Sequence, residues 1–205
     1  MTKNDIEKEK RIENFNKMRA EKLAEGYQEN ICTISILKAN LMALITAAPI
    51  ALVCLFIYIL KWNGIIFNGN GVEFFINWAL FMVLMIAFMA IHEVIHGITW
   101  GLFCKNKWKS IHLGVMWKQL TPYCTCKEPL KFGGYILGGL MPLFVLGIAL
   151  FVVSLLTGNI LLLLLSLFNI IGAGGDTTIA LMLLKYKKAC ILDHPTECGF
   201  VAFTK

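Results

Sequence analysis

His92 and His96 stand four residues apart in the run Met89-Ala90-Ile91-His92-Glu93-Val94-Ile95-His96-Gly97. On a helix that spacing puts both imidazoles on one face. Two imidazoles so placed can hold one Zn²⁺ and leave positions for a third ligand and a water. Glu93, beside the first histidine, can serve that water as general base. The competing reading is a pair of neutral histidines hydrogen-bonded inside a helix bundle. The surroundings favour the metal. Phe74 to Ala90 contains no charged residue. An ionisable group at mid-bilayer costs roughly 2.5–3.5 kcal/mol even on lenient scales, so such groups are kept for function.

A hydrolytic zinc site needs a third protein ligand, and Asp176 is the leading candidate. It is the one acid in the last two apolar stretches of the chain. His96 precedes Lys105 by nine residues, and Asp176 precedes Lys185 by nine. Both therefore lie about 14 Å along a helix from a lysine that marks the membrane edge. The competing reading pairs Asp176 with Lys185 or Lys187. Gly172, Gly174 and Gly175 let a neighbouring helix approach, close enough to share the ion. Asn169, seven residues before Asp176, falls on the same face of an unbroken helix. There it would either orient a substrate carbonyl or bond across to another helix.

Other clusters carry less. Cys124-Thr125-Cys126, with Cys190, His194 and Cys198, lacks the usual spacing of a structural zinc site, and reduced thiols are expected. His112 reads as a strand residue with no special role. There is no Ser/His/Asp order, phosphate-cradling loop or dinucleotide fingerprint.

The elements that must position these groups follow from composition. Hydrophobic residues make up 58% of the 205 and charged ones 16%, against about 45–50% and about 25% in soluble domains. The apolar excess falls in long runs, which predicts an integral, all-α membrane protein with four transmembrane helices. The spans are expected at about 39–60, 74–104, 133–157 and 160–184. Pro49 is expected to kink the first, and the turn-rich residues 61–73 follow it. Gly134 and Gly138, small-xxx-small in the third, favour close helix contact. Between the second and third spans, Ile111, Leu113, Val115 and Trp117 alternate with His112, Gly114, Met116 and Lys118, a short strand-like pattern in a cytoplasmic loop.

Residues 1–38 carry eight Lys/Arg, 105–131 six and the tail from Lys185 four, against one in 61–73. The positive-inside rule then places both termini and the 105–131 loop in the cytoplasm of a multi-pass cell-membrane protein. The lysines flank apolar spans instead of forming one patch, so no nucleic-acid partner is expected. The first 38 residues lack an early apolar run, so the first span is expected to direct insertion. The resulting division is a polar, helical N-terminal segment 1–38, a membrane domain 39–184 and a tail 185–205.

His92-Glu93-Val94-Ile95-His96 in an apolar helix, with Asp176 in a later one, resembles the site-2 protease type of intramembrane zinc metalloprotease. The pattern is most similar to a group of small bacterial membrane proteins described as zincin peptidases. It runs His-Glu-x-x-His-Gly, then Gly139-Leu140-Met141-Pro142, Gly174-Gly175-Asp176 and Asp193-His194-Pro195-Thr196-Glu197-Cys198-Gly199-Phe200. The resemblance implies His92, His96 and Asp176 as ligands of one zinc per chain and Glu93 as base. The chain departs from the site-2 pattern Asn-x-x-Pro-x-x-x-x-Asp-Gly: Asn169 is one residue closer to the acid, the proline is absent, and Thr177 replaces the glycine.

Two functions compete at this stage. One is a zinc-dependent endopeptidase cleaving membrane-embedded or membrane-proximal peptides, with stretch 111–117 holding the substrate extended. The other is a non-catalytic membrane protein that binds metal or peptide, either a metal carrier or a pseudo-protease. A carrier needs polar groups spaced along a path, whereas these cluster at one depth.

Overall fold

In lipid, a backbone must satisfy its N–H and C=O groups internally, and an uncharged apolar run does so by forming a helix. The computed structural model describes residues 3–64, 71–116 and 121–205. Helix α1 (Lys3–Ala24) and strand β1 (Gln28–Ile34) precede α2 (Ile36–Trp62) and α3 (Gly71–Phe103). The Ser35 hydroxyl accepts from Lys38 N–H at the start of α2, and Asn63 ends that helix in the left-handed region at φ 53°. The α2 helix runs unbroken through Pro49. The Asn68-Gly69-Asn70 part of the turn-rich loop lies outside the described residues, as does Trp117 at the end of the strand-like pattern.

Strands β2 (Ile111–Met116) and β3 (Thr121–Cys126) form an antiparallel hairpin, followed by β4 (Leu130–Lys131). Helix α4 (Phe132–Pro142) continues through a π-helical stretch, Leu143–Ala149, into α5 (Leu150–Thr157). The widened π turn carries Gly147, whose carbonyl accepts from Ser166 Oγ at 2.9 Å. Gly158 closes the predicted tight turn at φ 71°, and Asn159 caps α6 (Ile160–Gly172) through Leu162 N–H. Then come α7 (Gly174–Leu183), β5 (Cys190–Asp193) and β6 (Cys198–Thr204).

The segments α2, α3 and Phe132–Thr157 are each long and apolar enough to cross a membrane. Ile160–Gly172 and Gly174–Tyr186 make a fourth span only if counted together, because they bend by 41° at Ala173. The described residues thus hold three spans or four. In α3 the buried residues are Phe81 and then His96, Gly97, Thr99, Trp100 and Gly101, so most of the helix presents side chains outward and only its last third enters the core.

The chain is mostly helical but not all-α. A four-stranded sheet in the order β1-β6-β5-β4 joins the two ends of the sequence. Strand β1 pairs antiparallel with β6 from Gln28↔Thr204 to Ile34↔Cys198. Gly199 sits in that pair at φ 143°, and a Cβ there would stand 2.8 Å from Thr33 Cα. The sheet is held by a cluster in which Ile191, Phe200 and Ala202 meet Trp100 of α3, Tyr135 of α4 and Leu183 of α7. This junction between the membrane helices and the sheet is where the candidate site lies.

Candidate metal centre

Close approach of α3 and α4 builds the first half of the site. Gly134 and Gly138 both face α3, as the small-xxx-small spacing predicts. A Cβ on Gly134 would stand 2.8 Å from Phe103 Cγ, and one on Gly138 would run into the Trp100 indole. Their neighbours Gly133 and Gly139 face open space. With the helices this close, His96 Nδ1 lies 2.8 Å from Gly138 O. A carbonyl can only accept, so Nδ1 carries the proton and Nε2 keeps a free lone pair, the tautomer a metal ligand needs. The ring stacks on Trp100, centroids 5.0 Å apart and 15° from parallel, and Trp100 Nε1 donates to Tyr135 O. His92, His96 and Trp100 continue one i, i+4 ladder.

The bend at Ala173 builds the second half. Helix α7 restarts at Gly174 and carries Asp176 in its first turn. Its carboxylate meets both imidazoles: Oδ2 is 3.1 Å from His92 Nε2, and Oδ1 is 3.3 Å from His96 Nε2. The two Nε2 atoms are 3.1 Å apart. Ligands at about 2.0–2.1 Å from a tetrahedral zinc stand about 3.3 Å from one another. The donor set of two imidazoles and a carboxylate thus fits zinc in kind and in spacing. Among the described residues this is the one group of three or more His, Cys, Asp or Glu side chains close enough to share an ion.

Glu93 lies within electrostatic reach of His92, His96 and Asp176, and it faces the backbone of Cys124 on β3. The centre opens to a cavity of about 1,800 Å³, walled by α1, α2, the hairpin, α4, α7 and the β5–β6 turn. Asp176, Gly139, Gly172, Gly175 and Cys124 line it.

Two sequence expectations come out differently, and the competing reading of Asp176 falls away. Asn169 does not line the cavity; its amide donates to Leu165 O at 2.7 Å, within its own helix. The seven-residue spacing to Asp176 keeps one face only along a straight helix, and the 41° bend lies between the two. Of the glycines near Asp176, only Gly174 marks a close approach, and its neighbour is α2: a Cβ there would stand 2.8 Å from Ala43 Cβ. The Thr46 hydroxyl of α2 completes that contact, 2.6 Å from Thr177 Oγ1. Asp176 pairs with the histidines and not with Lys185 or Lys187.

All seven cysteines are free, and Cys104 and Cys126 bring their thiols to 3.2 Å. His112 Nε2 reaches Tyr123 Oη across the hairpin, at 3.3 Å. Sequence reasoning passed over Gly138 O, Trp100 and the backbone of Cys124. Trp100 was signalled by the continued i, i+4 spacing, whereas a backbone group such as that of Cys124 leaves no trace in side-chain identity.

No curated protein and no solved structure matches the chain. The sequence model of a family described as "Putative zincin peptidase" matches residues 84–191, a little over half of the chain. The matched stretch contains both histidines, Glu93, the hairpin, α4 and Asp176. The chain belongs to this zincin peptidase family.

Proposed function

We propose that the protein is a zinc-dependent endopeptidase that cleaves membrane-embedded or membrane-proximal peptides, with His92, His96 and Asp176 as ligands of one zinc per chain. The observation that carries this reading is the meeting of an HExxH pair with an acid eighty residues downstream, at the wall of a cavity. When bound, zinc supplies a Lewis acid that polarises a peptide carbonyl and acidifies water. Glu93 takes the proton from the attacking water and returns it to the leaving amine. His96 is held in its ligating tautomer by Gly138 O, so it does not share in proton transfer. No role in the reaction is assigned to Asn169.

A membrane peptide is helical and hides its carbonyls, so it must be drawn out before cleavage. Strand β2 pairs with β3 on one edge, and no strand covers its other edge among the described residues. An extended substrate laid along that edge at Leu113 and Val115 would gain main-chain bonds. The loop lysines support four spans in the cell membrane, with both termini and the hairpin in the cytoplasm. The membrane domain, 39–184, then carries the reaction, beneath a cytoplasmic cap formed by 1–38 and 185–205.

The test is metal analysis of purified protein together with comparison of membrane-peptide fragments from cells. Wild type should hold one zinc per chain, and His92→Ala and Asp176→Ala should hold none. Glu93→Gln should keep the metal and lose the fragments. Fragments that persist unchanged in Glu93→Gln would overturn the mechanism. A metal-loaded wild type that yields no fragments would favour the non-catalytic reading.

A further inference from the structure

Strand β3 has β2 along one edge. Its other edge faces α3 and the tail, and the N–H groups on it come from alternate residues. Pro122 has no N–H to offer. The Cys124 backbone faces Glu93, and Cys126 gives its N–H to Asp193 Oδ2 at 2.6 Å. Both of these residues therefore stand against a carboxylate. One carboxylate is the proposed base and the other belongs to the last residue of β5. The second oxygen of Asp193, Oδ1, takes the Tyr135 hydroxyl of α4 in a short hydrogen bond. Tyr135 lies one turn before Gly138, whose carbonyl orients His96.

Asp193 thus holds three elements together: the tail, β3 and α4. An ionised carboxylate only accepts, so it fixes the direction of both bonds, which an asparagine amide would not do. Burial pushes the Asp193 carboxyl up to about 6, so it remains ionised at neutral pH. Placing a charge in so enclosed a position is costly, and a neutral amide would fill the same space more cheaply. What the charge secures is the placement of the β3 edge.

We propose that Asp193 is a positioning residue for the reaction: by taking the N–H of Cys126 and the hydroxyl of Tyr135, it sets β3 so that the strand at Cys124 keeps Glu93 beside the metal ligands. The proposal rests on the reading of Glu93 as base. It predicts that disturbing Asp193 misplaces Glu93 without removing the metal.

The test uses the full-length, zinc-loaded protein in detergent with two probes, acetohydroxamate binding and cleavage of fluorescein-labelled β-casein. A hydroxamate bound at zinc shares its proton with the neighbouring base, so its affinity reports where Glu93 stands. Asp193→Asn should keep one zinc per chain, bind acetohydroxamate roughly tenfold more weakly, and lose kcat roughly tenfold with little change in KM. Tyr135→Phe leaves the Cys126 bond in place and should lose severalfold less on both readings. If Asp193→Asn fails to fold, Tyr135→Phe decides: a weaker hydroxamate with zinc retained supports the proposal, and wild-type affinity overturns it. Wild-type hydroxamate affinity in a folded Asp193→Asn overturns it as well, and if casein is not cleaved the hydroxamate reading stands alone. The two readings fail separately. Casein cleavage that survives Glu93→Gln sinks the proposed base. Cleavage lost in Glu93→Gln but intact in Asp193→Asn sinks the positioning role alone.

Discussion

Replacing Gly138 by alanine tests how the site is held, because one methyl group touches two of its supports. The new Cβ would overlap the Trp100 indole, with Trp100 Cγ at 2.8 Å and two further ring atoms nearer still. Trp100 has little freedom to turn away. It is 6% exposed, stacked on His96 and bonded through Nε1 to Tyr135 O. Helix α4 must therefore retreat by about 1 Å to restore ordinary contact. That stretches the 2.8 Å bond from His96 Nδ1 to Gly138 O towards about 4 Å, beyond hydrogen-bond reach. Overpacking of this kind costs about 1–3 kcal/mol, and the lost bond adds about 1 kcal/mol. Zinc affinity should fall about 10- to 100-fold, the usual effect of removing the partner of a ligating imidazole. Gly139→Ala is the control. Its Cβ would meet nothing within 4 Å, so it should leave zinc affinity unchanged and gain up to about 1 kcal/mol from helix propensity. Chelator competition for zinc and thermal unfolding in detergent read the two quantities. If Gly138→Ala binds zinc and melts as Gly139→Ala does, the account of how His96 is oriented is wrong.

Other consequences can be checked with the same two measurements. Asn169→Ala should leave zinc binding unchanged, since the amide bonds only within its own helix; loss of metal there would bring Asn169 back to the site. Gly174→Ala should lower the melting temperature through a clash with the backbone of Ala43, and Gly175→Ala, with nothing within 4 Å, should not. Asp193 gives a pH signature outside the membrane segments. Burial raises its carboxyl from 3.8 to about 6, against the opposing pull of Tyr135, Cys126 N–H and His96. The folded chain therefore holds this proton more tightly than the unfolded one. Stability from this group is greatest below about pH 4, falls as pH rises through the window from about 4 to 6, and is lost above it, by about 3 kcal/mol in all. Unfolding of wild type beside Asp193→Asn across that window should show the slope in wild type alone; parallel curves would refute it.

The part of the site legible in the sequence was the part written in local spacing. His92 and His96 share a face because four residues make one turn, and Asp176 could be matched to them in depth by counting to the flanking lysines. Gly134 and Gly138 announced the α3–α4 contact for the same reason. The sheet was not legible because its partners lie at opposite ends of the chain, Gln28 against Thr204. Residues 200–203 did carry a signal, since an unbroken apolar run can mark a strand buried on both faces. All four are fully buried. Alternation marks β2, whereas β6 carries an unbroken apolar run that does not alternate. Asn169 misled for the converse reason: helical spacing was carried across a glycine-rich break that ends one helix and starts another.

That break also explains how an acid from one segment can meet histidines from another. A straight helix through 160–184 would have carried the face of Asn169 on to Asp176, along the contact that α6 makes with α2 and α5. Ending α6 at Gly172 and turning 41° frees the next segment to take its own direction. Gly174 lets α7 pack against α2, and α7 also reaches α4. Asp176 then falls in the first turn of a new helix, where unpaired N–H groups make a carboxylate most at home. The remaining supports reach the site from outside the membrane helices. The Cys124 backbone comes from the hairpin, and Asp193 from a strand tied through β6 to the N-terminal β1. A cap assembled from both ends of the chain thus bears on Glu93, the group on which the proposed reaction depends most. Truncation of the tail should therefore impair hydrolysis before it removes the metal.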